Sequence, residues 1–92
     1  MENNKKYQVV PSKEFYKELR NLSDIDKKRV VEKLLIFEDN PFYPSFRTKK
    51  TKGNSGYYES SINMDIRILW YFEEDRIIIL TDVGHHDVLK KY

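Results

Sequence analysis

The spacing of apolar side chains changes along these 92 residues, and each change predicts an element. Residues 6–10 end in Val9 and Val10 and stop at Pro11, which predicts a short strand. Phe15, Leu19 and Leu22 then form the single apolar stripe of a helix, with Ser12 placed to accept an orphan amide at its start. Ser23 followed by Asp26 resembles a capping box and opens a second helix. Its predicted apolar face is broad, comprising Ile25, Val30, Val31, Leu34, Leu35 and Phe37. The helix closes near Asp39, because Asn40 precedes Pro41 and is pushed out of the helical region.

Beyond Pro41 the period falls to two. Residues 42–45 predict a proline-bracketed connection, and 46–52 a short strand or extended segment ended by the turn cluster Gly53-Asn54-Ser55-Gly56. Residues 57–63 and 66–72 predict strands flanking a tight turn or bulge at Met64-Asp65. Glu73-Glu74-Asp75 predicts a hairpin loop, 76–83 a last strand ended by Gly84, and 85–92 a tail. The order β-α-α-β-β-β-β predicts one α+β domain over residues 1–92, a small antiparallel sheet with two N-terminal helices packed on one face. The uncovered face is where function is expected.

Composition narrows the possibilities. Hydrophobic residues at 39% and aromatics at 14% supply a core and argue against a disordered chain. Seventeen basic against fifteen acidic residues leave a net charge of +2, too balanced to indicate nucleic-acid binding by charge alone. The absence of cysteine excludes a disulfide framework, a zinc knuckle and a thiol nucleophile. The first residues carry no apolar run suited to a secretory signal, and no apolar stretch approaches the ~18 residues of a membrane span. A soluble, cytoplasmic domain is expected.

Three constellations carry candidate chemistry. The segment Arg47-Thr48-Lys49-Lys50-Thr51-Lys52 holds four cations and no acid. In an extended chain Arg47 and Lys49 point one way, Lys50 and Lys52 the other. Such a segment is either an edge strand guarded by lysines or a stripe that tracks phosphates. Arg67 lies mid-strand on the face opposite Ile66, Ile68, Trp70 and Phe72, together with Leu69 and Tyr71. It is either a solvent-face residue partnered by Asp65 or Glu59, or a guanidinium fixed for a phosphate. Finally, His85 and His86 follow Gly84. Imidazole titrates near neutrality, at ~6.5 when free. Consecutive side chains in a strand-like tail diverge, which argues against a metal site, so the pair is either a surface accident or contains one catalytic histidine. Tyr57, Tyr58, Tyr71, Trp70 and Phe72 are either sheet core or stacking surfaces for bases. With only three glycines there is no glycine-rich phosphate loop ahead of a helix, and no Ser–His–Asp set is arguable.

In order and spacing, Phe46-Arg47-Thr48-Lys49-Lys50-Thr51-Lys52-Gly53, Tyr58, Ser61-Ile62-Asn63-Met64-Asp65-Ile66-Arg67-Ile68 and Val83-Gly84-His85-His86-Asp87 resemble the RelE/ParE superfamily of bacterial toxins. The branch it is most similar to is the RelE/YafQ type, whose members often read L-R-T-H-K-L-K-G, S-x-x-I-N-x-D-x-R-I and I-G-T-H-D. The resemblance covers residues 46–87 and implies a sheet with two N-terminal helices. It implies a ribosome-dependent mRNA endonuclease that needs no metal or other cofactor and is held inactive by a cognate antitoxin. In that chemistry the 2′-hydroxyl attacks the adjacent phosphate. By position, His86 is implied as acid or base, Arg67 as the group stabilising the phosphorane, and Asp65 as an orienting or proton-transfer residue. Lys49 stands where YafQ-like members carry a histidine, with Arg47, Lys50 and Lys52 as phosphate binders beside it. Ser61 replaces a second histidine of that branch, and Lys90 replaces an aromatic residue for which Tyr92 is the implied substitute. The alternatives are a ParE-like inhibitor of DNA gyrase without a catalytic set, and a degenerate module that only binds RNA or a partner. For an acidic, partly disordered antitoxin segment, the open sheet edges, the basic face and the helix residues Lys13, Lys17, Arg20, Lys27 and Lys28 offer surface. The helix cations alternate with Glu14, Glu18, Asp24 and Asp26, as on an ordinary solvated face.

Overall fold

The computed structural model describes residues 6–53 and 56–86. The first strand, β1 (Gln8–Pro11), lies at an edge of the sheet, where a proline's missing N–H breaks no interior ladder. Ser12 then caps α1 (Lys13–Arg20), its Oγ accepting from the Phe15 amide at 3.1 Å. Ser23 does the same for α2 (Asp24–Phe37), accepting from the Asp26 amide at 3.1 Å. The α1 stripe is as predicted: Phe15 and Leu22 are buried and Leu19 packs against them.

The apolar face of α2 is narrower than its sequence suggests. Val30 and Phe37 are fully buried with Leu34 beside them, whereas Ile25 is 73% and Leu35 64% exposed, and Val31 points outward too. At 3.6 residues per turn, positions 30, 34 and 37 fall within about 60° of arc, while 31 and 35 turn about 100–140° away from Val30. A sheet touches only the first group.

Four more strands follow: β2 (Lys49–Lys50), β3 (Tyr57–Ser61), β4 (Ile66–Glu74) and β5 (Ile77–His85). They pair in the order β1-β5-β4-β3-β2. The pairings among β2 to β5 are antiparallel, but β1 runs parallel to β5, from Gln8 opposite Ile77 to Pro11 opposite Leu80. The sheet is therefore mixed rather than wholly antiparallel, because the helices and the meander return the chain to β1 in the same direction. Of the segment predicted over 46–52 as a short strand or extended loop, only Lys49–Lys50 is strand. Phe46 completes a 3-10 turn (Pro44–Phe46), and Arg47, at φ 48°, adopts the left-handed conformation behind it. Residues 62 and 63 belong to a turn rather than to β3, the hairpin loop shrinks to residues 75–76, and β5 continues through Gly84. Thr81 is an extra residue in β5: Leu69 pairs with Asp82 but Trp70 with Leu80, and Thr81 Oγ1 bonds the Leu69 carbonyl at 3.1 Å. This bulge changes the alternation, so Ile78, Leu80 and Val83 all join the core.

Trp70 is the hub of that core. Its ring stacks on Tyr58 at 4.6 Å between centroids and meets Phe37 edge-on at 5.3 Å. Its indole N–H is buried and donates to Ser60 Oγ at 2.8 Å. Ser60 Oγ lies 2.6 Å from Thr48 Oγ1, which in turn donates to the Pro41 carbonyl at 2.6 Å. Because the Thr48 proton goes to Pro41, the Ser60 proton goes to Thr48, and the chain of donors has one direction. It ties the 41–48 loop to β3 and β4. Among these strands, Tyr58, Trp70 and Phe72 serve the core, while Tyr57 and Tyr71 pair at 5.2 Å, half-buried, on the other face.

Ser60→Ala strands the Trp70 donor and is expected to cost about 1–3 kcal/mol in urea unfolding with little change in the slope m. Leu35→Ser, on the exposed side of α2, is expected to stay within about 0.5 kcal/mol of the parent chain.

Candidate functional site

Arg67 is built into β4 with small neighbours on both sides, Ser61 on β3 and Gly84 on β5. The turn before it is pinned by one side chain. Asn63 Oδ1 accepts from the amides of Asp65 and Ile66, each at 2.8 Å, which is an Asx-type turn. The turn points its carbonyls at the arginine. Arg67 Nη1 donates to the carbonyls of Asn63 at 2.7 Å, Met64 at 3.0 Å and Ile66 at 3.3 Å. Its Nε lies 3.6 Å from Glu59 Oε2, so of the two partners considered from sequence the carboxylate is Glu59, not Asp65. Among the described residues Nη2 makes no hydrogen bond.

Beside Arg67 a groove of about 310 Å³ is lined by Arg47, Lys49, Glu59, Ser61, Arg67 and His86. Each arrives by a different route. Arg47 is swung in by its left-handed backbone after the 3-10 turn. Lys49 pairs with Glu59 across β2 and β3, and so shares that residue's face. His86 follows β5 directly, its N–H donating to the Asp65 carbonyl at 2.8 Å, which fastens the chain after β5 to the turn before β4. His86 is exposed, as is Asp65, and both line an adjoining basin of about 310 Å³ with Met64, Arg67 and His85.

The structure thus brings Arg47, Lys49, Arg67 and His86 together, with Asp65 at the margin. Lys50 pairs with Tyr58, which faces the core side, and does not line the groove; Lys52 lies beyond the end of β2 and does not line it either. Lys90 and Tyr92 lie outside the described residues. Sequence reasoning missed Arg29 and Lys33 of α2. They stand one helical turn apart and line a third basin, about 300 Å³, with Arg47, Ser61 and Arg67. Their spacing was a legible signal, but nothing local says that this part of α2 overhangs the sheet.

The three basins share Arg67 and form one positive surface in which Glu59 is the acid closest to the arginine. Such a surface suits a phosphate held by several donors, with an imidazole alongside for proton transfer. A larger cleft, about 510 Å³, lies elsewhere, between Tyr7, Gln8, Glu38 and Arg76. It gathers neither a histidine nor a row of cations, so the chemistry points to the Arg67 groove. No helix among the described residues is long and apolar enough to cross a membrane.

Two variants separate the support of the groove from its charges. Asn63→Ala removes both 2.8 Å bonds of the turn and is expected to cost about 1–2 kcal/mol of stability by chemical unfolding. Arg47→Gly relieves a left-handed non-glycine residue, worth about 1 kcal/mol, and is expected to leave the melting temperature unchanged or higher while deleting one cation.

No family model matches the chain, and no curated protein matches it either. Solved structures do. An archaeal RelE–RelB complex from Pyrococcus horikoshii aligns with a TM-score of 0.70 at 23% identity, covering 87% of this chain and 94% of that one. The RelBE2 toxin–antitoxin complex of Mycobacterium tuberculosis gives 0.73 at 18%, covering 87% and 98%. The DinJ–YafQ complex of Escherichia coli gives 0.66 at 18%, covering 91% and 98%. The chain thus shares its fold with these solved RelE–RelB, RelBE2 and DinJ–YafQ structures.

Proposed function

We propose that this chain is the toxin of a type II toxin–antitoxin pair, acting in the cytoplasm as a ribosome-dependent mRNA endonuclease. The observation that carries the reading is the convergence of Arg47, Lys49, Arg67 and His86 on one groove. Transesterification of RNA needs a proton acceptor at the 2′-oxygen, cations around the phosphorane, and a proton donor for the leaving 5′-oxygen. The 2′-oxygen gives up its proton and bonds to phosphorus. The bond from phosphorus to the 5′-oxygen then breaks, leaving a 2′,3′-cyclic phosphate and a 5′-hydroxyl.

Arg67 suits the phosphorane because three carbonyls hold Nη1 while Nη2 remains available for a phosphate oxygen. Arg47 and Lys49 add positive charge at the same place. His86 is the imidazole within the groove and serves one of the two proton transfers. Asp65 holds the His86 backbone through its carbonyl, and its carboxylate orients charge in the adjoining basin. Glu59 tempers Arg67 and keeps its guanidinium aimed when no phosphate is bound.

The toxin folds aligned above occur in complexes with antitoxins. A cognate antitoxin is accordingly the proposed partner, and the outward Ile25, Val31 and Leu35 of α2 provide apolar surface for it.

The test is single-turnover cleavage of ribosome-bound message by the purified protein, with mapping of the RNA ends. His86→Ala is expected to slow cleavage by about 10²–10⁴-fold and Arg67→Ala by about 10²–10³-fold, with circular dichroism unchanged. Intact messages after induction, or a His86→Ala protein as fast as the parent, would overturn the reading. Glu59→Gln is expected to tighten binding of a short RNA a few-fold at low salt, an effect that fades as salt is raised.

A further inference from the structure

β1 ends at Pro11, opposite Leu80, so the rest of β5 has no strand along that edge. Helix α1 takes the place of the missing neighbour. The Val83 amide donates to Glu18 Oε1 at 3.1 Å, a carboxylate standing in for a backbone acceptor. Glu14 precedes Glu18 by four residues and shares its side of the helix. The Thr81 bulge sets Asp82 at the same seam. The three residues bring one carboxylate oxygen each to within 4.8 Å of one another.

Asp82 makes this more than a surface patch of acids. It is 2% exposed, and its Oδ1 is buried without a hydrogen-bond partner. A carboxylate in that position needs a compensating positive charge or proton, since burial penalises an unpaired anion. We propose that Glu14, Glu18 and Asp82 bind a hard divalent cation at the seam between α1 and the edge of β5. The all-oxygen, all-carboxylate donor set selects calcium, magnesium or manganese over softer metals. The spread fits a Ca²⁺ ion, whose opposite ligands stand about 4.6–5.2 Å apart, and takes Mg²⁺ after a slight contraction. Water completes the shell on the exposed Glu14 side. The Glu18 carboxyl is pushed up to about 7, first by burial and then by Asp82 and Glu14, against the lowering effect of the Val83 amide. The cation's role is to fasten α1 to the sheet. The site shares no residue with the Arg67 groove and does not depend on the activity proposed for it.

The test uses the full chain, stripped with a chelator, in thermal unfolding without RNA. Wells with about 10 mM CaCl₂, MgCl₂ or MnCl₂ are compared with about 30 mM NaCl, which matches the ionic strength. At least one divalent ion is expected to raise the melting temperature by about 4 °C or more over NaCl. Asp82→Asn is expected to abolish that response, and Glu14→Gln to weaken it. In NMR spectra of the parent chain, sub-stoichiometric Mn²⁺ is expected to broaden the amides of Glu14, Glu18 and Val83 before those of Lys49 and Arg67. Equal melting temperatures in divalent and sodium salts would overturn the proposal. So would an undiminished response in Asp82→Asn, or broadening that spares the seam. If Asp82→Asn does not fold, the Glu14→Gln response and the Mn²⁺ map decide.

Discussion

The geometry of the groove depends on where one buried indole proton goes. Trp70 is enclosed by aromatic rings, and its N–H has to find an acceptor inside the core. Ser60 provides it and passes its own proton to Thr48, which passes on to the Pro41 carbonyl. Each hydroxyl both donates and accepts, so the chain polarises in one sense and is satisfied throughout. Its far end is the loop that carries Arg47 and leads into Lys49, and its near end is the strand pair that carries Ser61 and Arg67. A polar thread through the core thereby sets the spacing of cations on the surface.

The cations themselves are held with different stiffness. Arg67 is immobilised by three carbonyls and a carboxylate, so little side-chain entropy remains to be lost when an anion arrives. Its fork can satisfy the turn and still offer another nitrogen, which a lysine ammonium at the same place could not do with the same planarity. Lys49, on a two-residue strand, is exposed and would follow a bound anion rather than position it. The division of labour is one rigid arginine and several adaptable cations.

How much of this was legible in the sequence follows from how local each determinant is. The caps at Ser12 and Ser23 act over three residues and read directly. The alternation that sends Arg67 away from Ile66, Ile68 and Trp70 is equally local, and it placed the arginine on the face that carries the groove. The apolar width of α2 was not legible, because periodicity identifies a stripe but not which part of a wider stripe meets the sheet. Nor was the Thr81 bulge, since one inserted residue changes parity without any compositional mark. Without it, Asp82 reads as a member of the Ile78 and Leu80 face. The parallel β1–β5 pairing, the reach of Arg29 and Lys33 into the site, and the meeting of Glu18 with Asp82 all join distant parts of the chain. No window along the sequence contains them.

The adjacency of β1 and β5 has a kinetic corollary. Strand β5 is the shared partner that both β1 and β4 require, yet it is the last of the described strands to be synthesised. A nascent chain that stops before Ile77 has no neighbour for β1, an unpaired edge on β4 and no histidine near Arg67. Closing so long a loop also slows the final collapse, because contacts between distant residues form only after their entropy has been surrendered. Assembly of the cationic groove is therefore deferred until β5 has been translated, and products truncated before it emerge without it.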